Sequence, residues 1–136
     1  MNQQTPSNTN YLGVGYSVSG HNGTWNAKMS VKFQVMCTNT TQQPDWATAY
    51  NECKNYDGEG GSAGQWRLPT QGELMIILIL HPQLIGKGSF TALSPNTYWS
   101  SSENDRSRAN CIGFHNASSS SYDKVSSFMT RCVRDL

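Results

Sequence analysis

Four cysteines, Cys37, Cys53, Cys111 and Cys132, are the residues with the widest choice of chemistry in this chain. Thiols can ligate zinc, attack a substrate or oxidise to disulfides. Structural zinc wants closely spaced Cys or His pairs. There is no Cys-x-x-Cys, and His21, His81 and His115 are scattered, so neither a metal nor another cofactor is expected. An even cysteine count in a small chain poor in charge instead predicts two disulfides and an oxidising compartment. Four cysteines admit three pairings, and spacing leaves all three open. Catalysis has less to stand on. Cys111 and His115 fall on one face of a predicted strand, but a Cys beside a His is usually not a nucleophile. No Ser-His-Asp set or phosphate-cradling glycine loop accompanies them. The expectation is a protein that is not an enzyme.

The surroundings of these residues are polar without being charged. Of 136 residues only 14% are charged, against about 25% in an average globular protein. Serine, asparagine and threonine number 17, 12 and 11. Neutral hydrogen-bonding groups of this kind suit an extracellular surface. Ten Lys and Arg against nine Asp and Glu give a net charge of +1, so a nucleic-acid partner is not expected, because phosphate binding draws on clustered cations. The apolar run over residues 75–80 is far too short to cross a bilayer. Met1-Asn2-Gln3-Gln4 lacks the apolar stretch of a signal peptide. With the cysteines it leads us to expect a fragment of a longer secreted protein.

The elements that must position these groups read as α+β. Residues 1–10 are a polar arm or linker, and 11–136 form one domain. Residues 11–36 have a β texture, with alternation over 29–35 and an Asn-Gly hairpin signal at 22–23. A helix starts at Pro44-Asp45, its buried stripe being Trp46, Ala49, Tyr50, Cys53 and Tyr56. Residues 57–64, rich in glycine, form a loop. Thr70 with Glu73 makes a capping box for a second helix that stops near His81-Pro82. It is apolar nearly all round and should be the central buried helix. Strands follow over 98–102, 109–115 and 127–133. In the middle one Ile112 and Phe114 share a face, with Cys111, Gly113 and His115 on the other. Residues 104–108 and 118–123 read as loops. Trp46, Trp66, Trp99 and Phe114 are expected in the core, and Arg67, Glu73, Arg131 and Arg134 in structural hydrogen bonds.

Four motifs now fall in order: Trp46-Ala47-Thr48-Ala49-Tyr50-Asn51-Glu52-Cys53, then Trp66-Arg67-Leu68-Pro69-Thr70 with Glu73-Leu74, then Tyr98-Trp99-Ser100-Ser101-Ser102-Glu103, and Arg131-Cys132-Val133-Arg134-Asp135. Together they resemble the C-terminal domain family of Legionella collagen-like proteins, which is also found at the ends of fimbrillin-type adhesins. That resemblance implies a C-type-lectin-like fold: two helices, a small antiparallel sheet and long ordered loops. It implies a disulfide between Cys53 and Cys132, leaving Cys37 and Cys111 as a second pair. It further implies ligand binding through the C-terminal loops and the strand face beside them. The contacts would be Asn104, Asp105, Arg106, Ser107, Arg108, Asn110, Cys111, Gly113, His115, Asn116, Ser118, Ser120, Ser121 and Tyr122. Small hydrogen-bonding groups around a few aromatic anchors make an adaptable surface, and Arg106 and Arg108 could grip a carboxylate or phosphate. Sugar-binding C-type lectins hold calcium through Glu-Pro-Asn or Gln-Pro-Asp and a later Trp-Asn-Asp. Ser94-Pro95-Asn96 and Glu103-Asn104-Asp105 complete neither, so calcium is not expected.

The same stretch is similar to the variable proteins of diversity-generating retroelements. There, adenine-directed mutagenesis of Asn-type codons never yields Lys, Glu, Gln, Met or Trp. None of those five types occurs between Glu103 and Lys124. They supply 26 of the 136 residues, so a clean window of that length has a chance on the order of one to two per cent at ordinary composition. The expected protein is therefore a non-catalytic ligand-binding domain of a bacterial or phage-encoded surface adhesin, with a hypervariable C-terminal surface. Its partner would be a protein or glycan on another cell or surface, with pilus subunits as neighbours in the assembly. The alternatives are an invariant pilus or surface subunit of the same fold and, last, catalysis like that of formylglycine-generating enzymes. Residues 1–10 lack the apolar alternation that a donated pilin strand needs.

Overall fold

The computed structural model describes residues 29, 32–39, 43–84 and 93–136. The polar arm over 1–10, the hairpin signal at 22–23 and most of the β texture over 11–31 lie outside the described residues. The elements run β1 (Phe33–Val35), α1 (Trp46–Asn55), β2 (Trp66–Arg67), α2 (Gln71–Leu84), β3 (Thr97–Glu103), β4 (Arg108–Gly113), β5 (Ser118–Asp123) and β6 (Val133–Asp135). They form an α+β arrangement of two helices and two three-stranded antiparallel sheets, ordered β1-β6-β2 and β3-β4-β5. The single small sheet of the sequence reading is thus two.

Local chemistry explains where the helices begin. Asp45 stays extended, and its Oδ1 accepts the Thr48 N–H at 2.9 Å, which satisfies an otherwise unpaired amide at the start of α1. Trp46, Ala49 and Cys53 are buried along one stripe, with Tyr50 and Tyr56 half-buried beside it. At α2 the Thr70 N–H donates to Glu73 Oε1 at 3.0 Å, and the Glu73 N–H donates to Thr70 Oγ1 at 3.3 Å. This is the reciprocal capping box. Arg67 then grips Glu73 with two 2.7 Å hydrogen bonds and reaches Asp135, joining β2, α2 and β6.

Helix α2 departs from the sequence reading twice. It runs through Pro82 to Leu84, past a proline whose fixed φ is compatible with a helix although its missing N–H and its ring disfavour the position. It is also not buried all round. Leu74 and Ile77 are in the core, whereas Ile79 and Leu80 are 67% and 43% exposed.

The sheets correct the strand assignments. Residues 118–123, read as a loop, are the edge strand β5, in unbroken register with β4 from Arg108 opposite Asp123 to Gly113 opposite Ser118. A run of serines has no apolar alternation to announce a strand, and its pairing is imposed by the hairpin. The last strand is not 127–133. Met129 makes one parallel bridge with Tyr98 at the edge of β3, and the chain then crosses to the other sheet, where Val133–Asp135 lies between β1 and β2. Trp66–Arg67, which carried no strand signal, supplies the short β2.

Two apolar clusters sandwich β4. Ala109 and Cys111 face Trp46, Trp66, Trp99 and Cys132, while Ile112 faces Leu74, Ile77, Tyr98 and Val133. Cys53 is bonded to Cys132, with Cα atoms 5.4 Å apart, pinning α1 to the last segment of the chain. Neither Cys37 nor Cys111 is disulfide-bonded. Their expected bridge is not made, because Cys111 sits mid-strand inside the core, whereas Cys37 follows β1 and has its N–H bound by the Glu59 carboxylate at 2.9 Å.

Candidate functional site

The sequence-predicted contacts sit in and around one hairpin. Residues 104–107 turn from β3 into β4, and residues 114–117 turn from β4 into β5. These turns are at opposite ends of a six-residue strand, roughly 17 Å apart at about 3.3 Å per residue. The candidates therefore divide into two groups joined by the exposed edge strand β5. Asn104, Asp105, Arg106 and Arg108 are exposed at one end, with Ser107 half-buried among them, and His115 and Asn116 are exposed at the other. Between them Ser120 and Tyr122 are exposed, and Asn110, Ser118 and Ser121 half-buried.

Two predicted contacts do not belong to that surface. Cys111 is 1% exposed within the core, and burial pushes its thiol well above the usual range, so it is neither a ligand contact nor half of a reactive Cys-His pair. His115 lies in the exposed turn. Gly113 is buried too, and a Cβ there would come within 2.8 Å of Asn116 Oδ1 and 3.0 Å of Ser118 Oγ. It shapes the turn and contacts nothing outside.

Below the first turn lies a structure that the sequence did not announce. Glu103 and Lys124 are fully buried and paired at 2.5 Å. Lys124 Nζ also donates to the Arg106 carbonyl at 3.1 Å and stands 4.3 Å from the centre of the Trp46 ring. Its main-chain N–H donates to the Ser107 carbonyl at 2.9 Å, and its carbonyl accepts the Trp46 N–H at 3.0 Å. One lysine thus fixes the turn, the end of β5 and the start of α1. Desolvation lowers its ammonium below the ordinary lysine range, against the opposing pull of Glu103. The only sequence signal was that Glu103 and Lys124 flank the window free of Lys, Glu, Gln, Met and Trp.

The turn is also tied from within. Asp105 Oδ1 accepts the Ser107 N–H at 2.9 Å, the Ser107 hydroxyl at 3.0 Å and the Arg108 N–H at 2.9 Å. Arg108 is not free to reach outwards, because its guanidinium donates to the Ser121 carbonyl at 2.5 Å and the Ser121 hydroxyl at 3.2 Å. Arg106 is exposed as well, and its backbone carbonyl is taken by Lys124. Tyr122 packs on Phe128 at 4.8 Å between ring centres, and Phe128 on the buried Trp99 at 5.0 Å. That stack holds a 39% exposed ring in place beside Ser120. Ser119 accepts a hydrogen bond from Gln71 Nε2 of α2. Among the described residues no group of three or more His, Cys, Asp or Glu could hold a metal ion, and no helix is long and apolar enough to cross a membrane.

Residues 19–134 match the sequence profile of the family described as the Lcl C-terminal domain, and the chain belongs to that family. No curated protein matches it significantly.

Proposed function

We propose that this member of the Lcl C-terminal domain family is a non-catalytic ligand-binding domain of a bacterial surface protein. Its ligand meets the two β4 turns and the outer side of β5. The observation that carries this reading is the contrast within residues 104–123. Their main chain is anchored at both ends by the buried Glu103–Lys124 pair, while Asn104, Arg106, His115, Asn116, Ser120 and Tyr122 project from it exposed. A backbone fixed in advance loses little ordering entropy when its side chains engage a partner. The buried Cys53–Cys132 bond and the family both fit an extracellular location. The partner is a protein or glycan on another cell or surface, and the scaffold is of C-type-lectin-like type.

The same contrast favours a diversified surface over an invariant pilus subunit. The exposed positions of the turns and β5 other than Tyr122, which stacks on Phe128, can change without touching either core, whereas Ala109, Cys111, Ile112 and Gly113 are buried and must stay small or apolar. Changing Asn104, Arg106, His115 and Tyr122 to alanine together should leave the thermal unfolding transition cooperative and abolish binding to cultured cells or immobilised glycans. Retained binding, or an unfolded variant, would sink the site. A reverse-transcriptase gene with a near-copy of the 3′ coding segment beside this gene would establish diversification. Its absence would leave an invariant adhesin.

A further inference from the structure

A cleft of about 690 Å³ lies between α1 and residues 36–39. Thr48, Asn51, Glu52 and Asn55 all line it. Their spacing places them on one helical face. Thr48, Asn51 and Asn55 are exposed, and with the half-buried Glu52 they form one polar wall of an open cleft of ligand-binding size.

The opposite wall and the end are rigid. Asn39 accepts hydrogen bonds at Oδ1 from Tyr98 Oη at 3.0 Å and Arg131 Nε at 2.9 Å, and its Nδ2 donates to Ser94 at 3.3 Å. Tyr56 donates to Glu59 Oε2 at 2.8 Å and packs edge-on against Trp66, 5.1 Å between ring centres. The helix wall is uncommitted. Asn51 and Asn55 make no side-chain hydrogen bond to a described residue, and Glu52 Oε1 is buried without a hydrogen-bond partner among the described residues. A buried acceptor of that kind is costly to leave unfilled.

We infer that this cleft is a second binding site, taking a neutral saccharide. No lysine or arginine lines it, so nothing there would hold a phosphate, sulfate or carboxylate. Asparagine amides offer a donor and an acceptor each, and a sugar hydroxyl is likewise both. An amine is a donor only and would leave the amide N–H groups unmatched. Glu52 and the exposed Asp57, which also lines the cleft, add acceptors for hydroxyl protons, and the fixed Tyr56 ring gives an apolar wall for the C–H side of a sugar. Burial raises the Glu52 carboxyl above its ordinary value, with no cation offsetting it, which agrees with an acceptor waiting for a donor. The site is separate from the hairpin surface and stands or falls without it.

The test is an amide-shift titration of the whole ¹⁵N-labelled chain with methyl α-mannoside, methyl β-galactoside and N-acetylglucosamine. Each is taken to about 50 mM, enough to saturate a site with a Kd of about 1 mM. At least one sugar should give saturable shifts at the Asn51 and Asn55 side-chain amides and bring the Glu52 carboxyl down towards its ordinary pKa. Glu52→Gln should weaken that binding about tenfold while the rest of the spectrum stays unchanged. Separately, Asn51→Ala should do the same, so one ill-behaved variant does not decide the matter. No saturable shift with any of the three sugars, or shifts confined to residues 104–122, would overturn the site. A saturable response to methylamine with none to the sugars would overturn the ligand class.

Discussion

Glu103 and Lys124 are separated by twenty-one positions in the chain and meet as an ion pair with both side chains completely buried. Everything between them is one excursion, turn, strand, turn and strand, which runs through the core along β4 and returns along β5 to the same point. Taking two charges out of water is expensive, and their attraction offsets that only when geometry and further hydrogen bonds are good. Here Lys124 adds the Arg106 carbonyl and the face of Trp46.

Removing one partner should therefore hurt more than removing both. Lys124→Met or Glu103→Gln alone leaves a buried charge or polar group without its mate and should cost about 3–5 kcal/mol in urea unfolding. Lys124→Met combined with Glu103→Met should cost clearly less than the two single losses added. A single variant within about 1 kcal/mol of the parent would show that the pair does not hold the excursion.

The first turn should loosen in acid. Partial burial pushes the Asp105 carboxyl up, but the N–H and hydroxyl of Ser107, the N–H of Arg108 and its charge more than reverse this, so the net shift is downwards. A carboxyl lowered in the fold stabilises it fully above the ordinary aspartate value of about 3.9, and that contribution fades as pH falls through the lower folded value. The Ser107 and Arg108 amides should keep their exchange protection at pH 5 and lose it in strong acid. Asp105→Asn should show the weaker protection already at pH 5.

Thiol chemistry separates the four cysteines. Alkylation without reductant should label Cys37 slowly and Cys111 only after unfolding. Cys37 is itself subdued, because its hydrogen bond to Glu59, burial and the Glu59 charge all raise its pKa, against a smaller lowering by Arg131. Cys53 and Cys132 should stay unlabelled. Changing both to alanine opens a loop with a sequence separation of 79 and should lower stability by about 4 kcal/mol in the chain-entropy model. Label on Cys53 in the native, unreduced protein would exclude the bridge.

Alanine substitutions along the hairpin should fall into two classes. Ile112→Ala removes a fully buried side chain between α2 and β4 and should cost about 2–5 kcal/mol. Arg106→Ala and His115→Ala, at exposed positions, should stay within about 0.5 kcal/mol of the parent. Chemical denaturation midpoints would check this, and comparable losses in both classes would contradict the division between scaffold and surface.

What could be read from the sequence was local. The start of α1 at Asp45 and the Thr70–Glu73 box are short-range hydrogen-bond patterns, and both helices begin where those residues put them. Strand β5 was missed because Ser118 to Ser121 pair through main-chain groups that every residue carries. The burial of Cys111 was missed because alternation shows that a strand has two faces without showing that both are covered. The clamp beneath the first turn escaped for a third reason. A lysine and a glutamate twenty-one residues apart look like two surface charges until the hairpin folds them together.

The bond between Cys53 and Cys132 also has a mechanical meaning. Strands β2 to β5 and helix α2 all lie inside the loop that it closes. Tension along the main chain from before Cys53 to beyond Cys132 crosses the sulfur–sulfur bond and bypasses that whole interval. The sheet bearing the hairpin is thus wired in parallel with a covalent shunt. A domain dragged by its two ends can fray at β1 and β6, yet the hairpin surface carries none of that load.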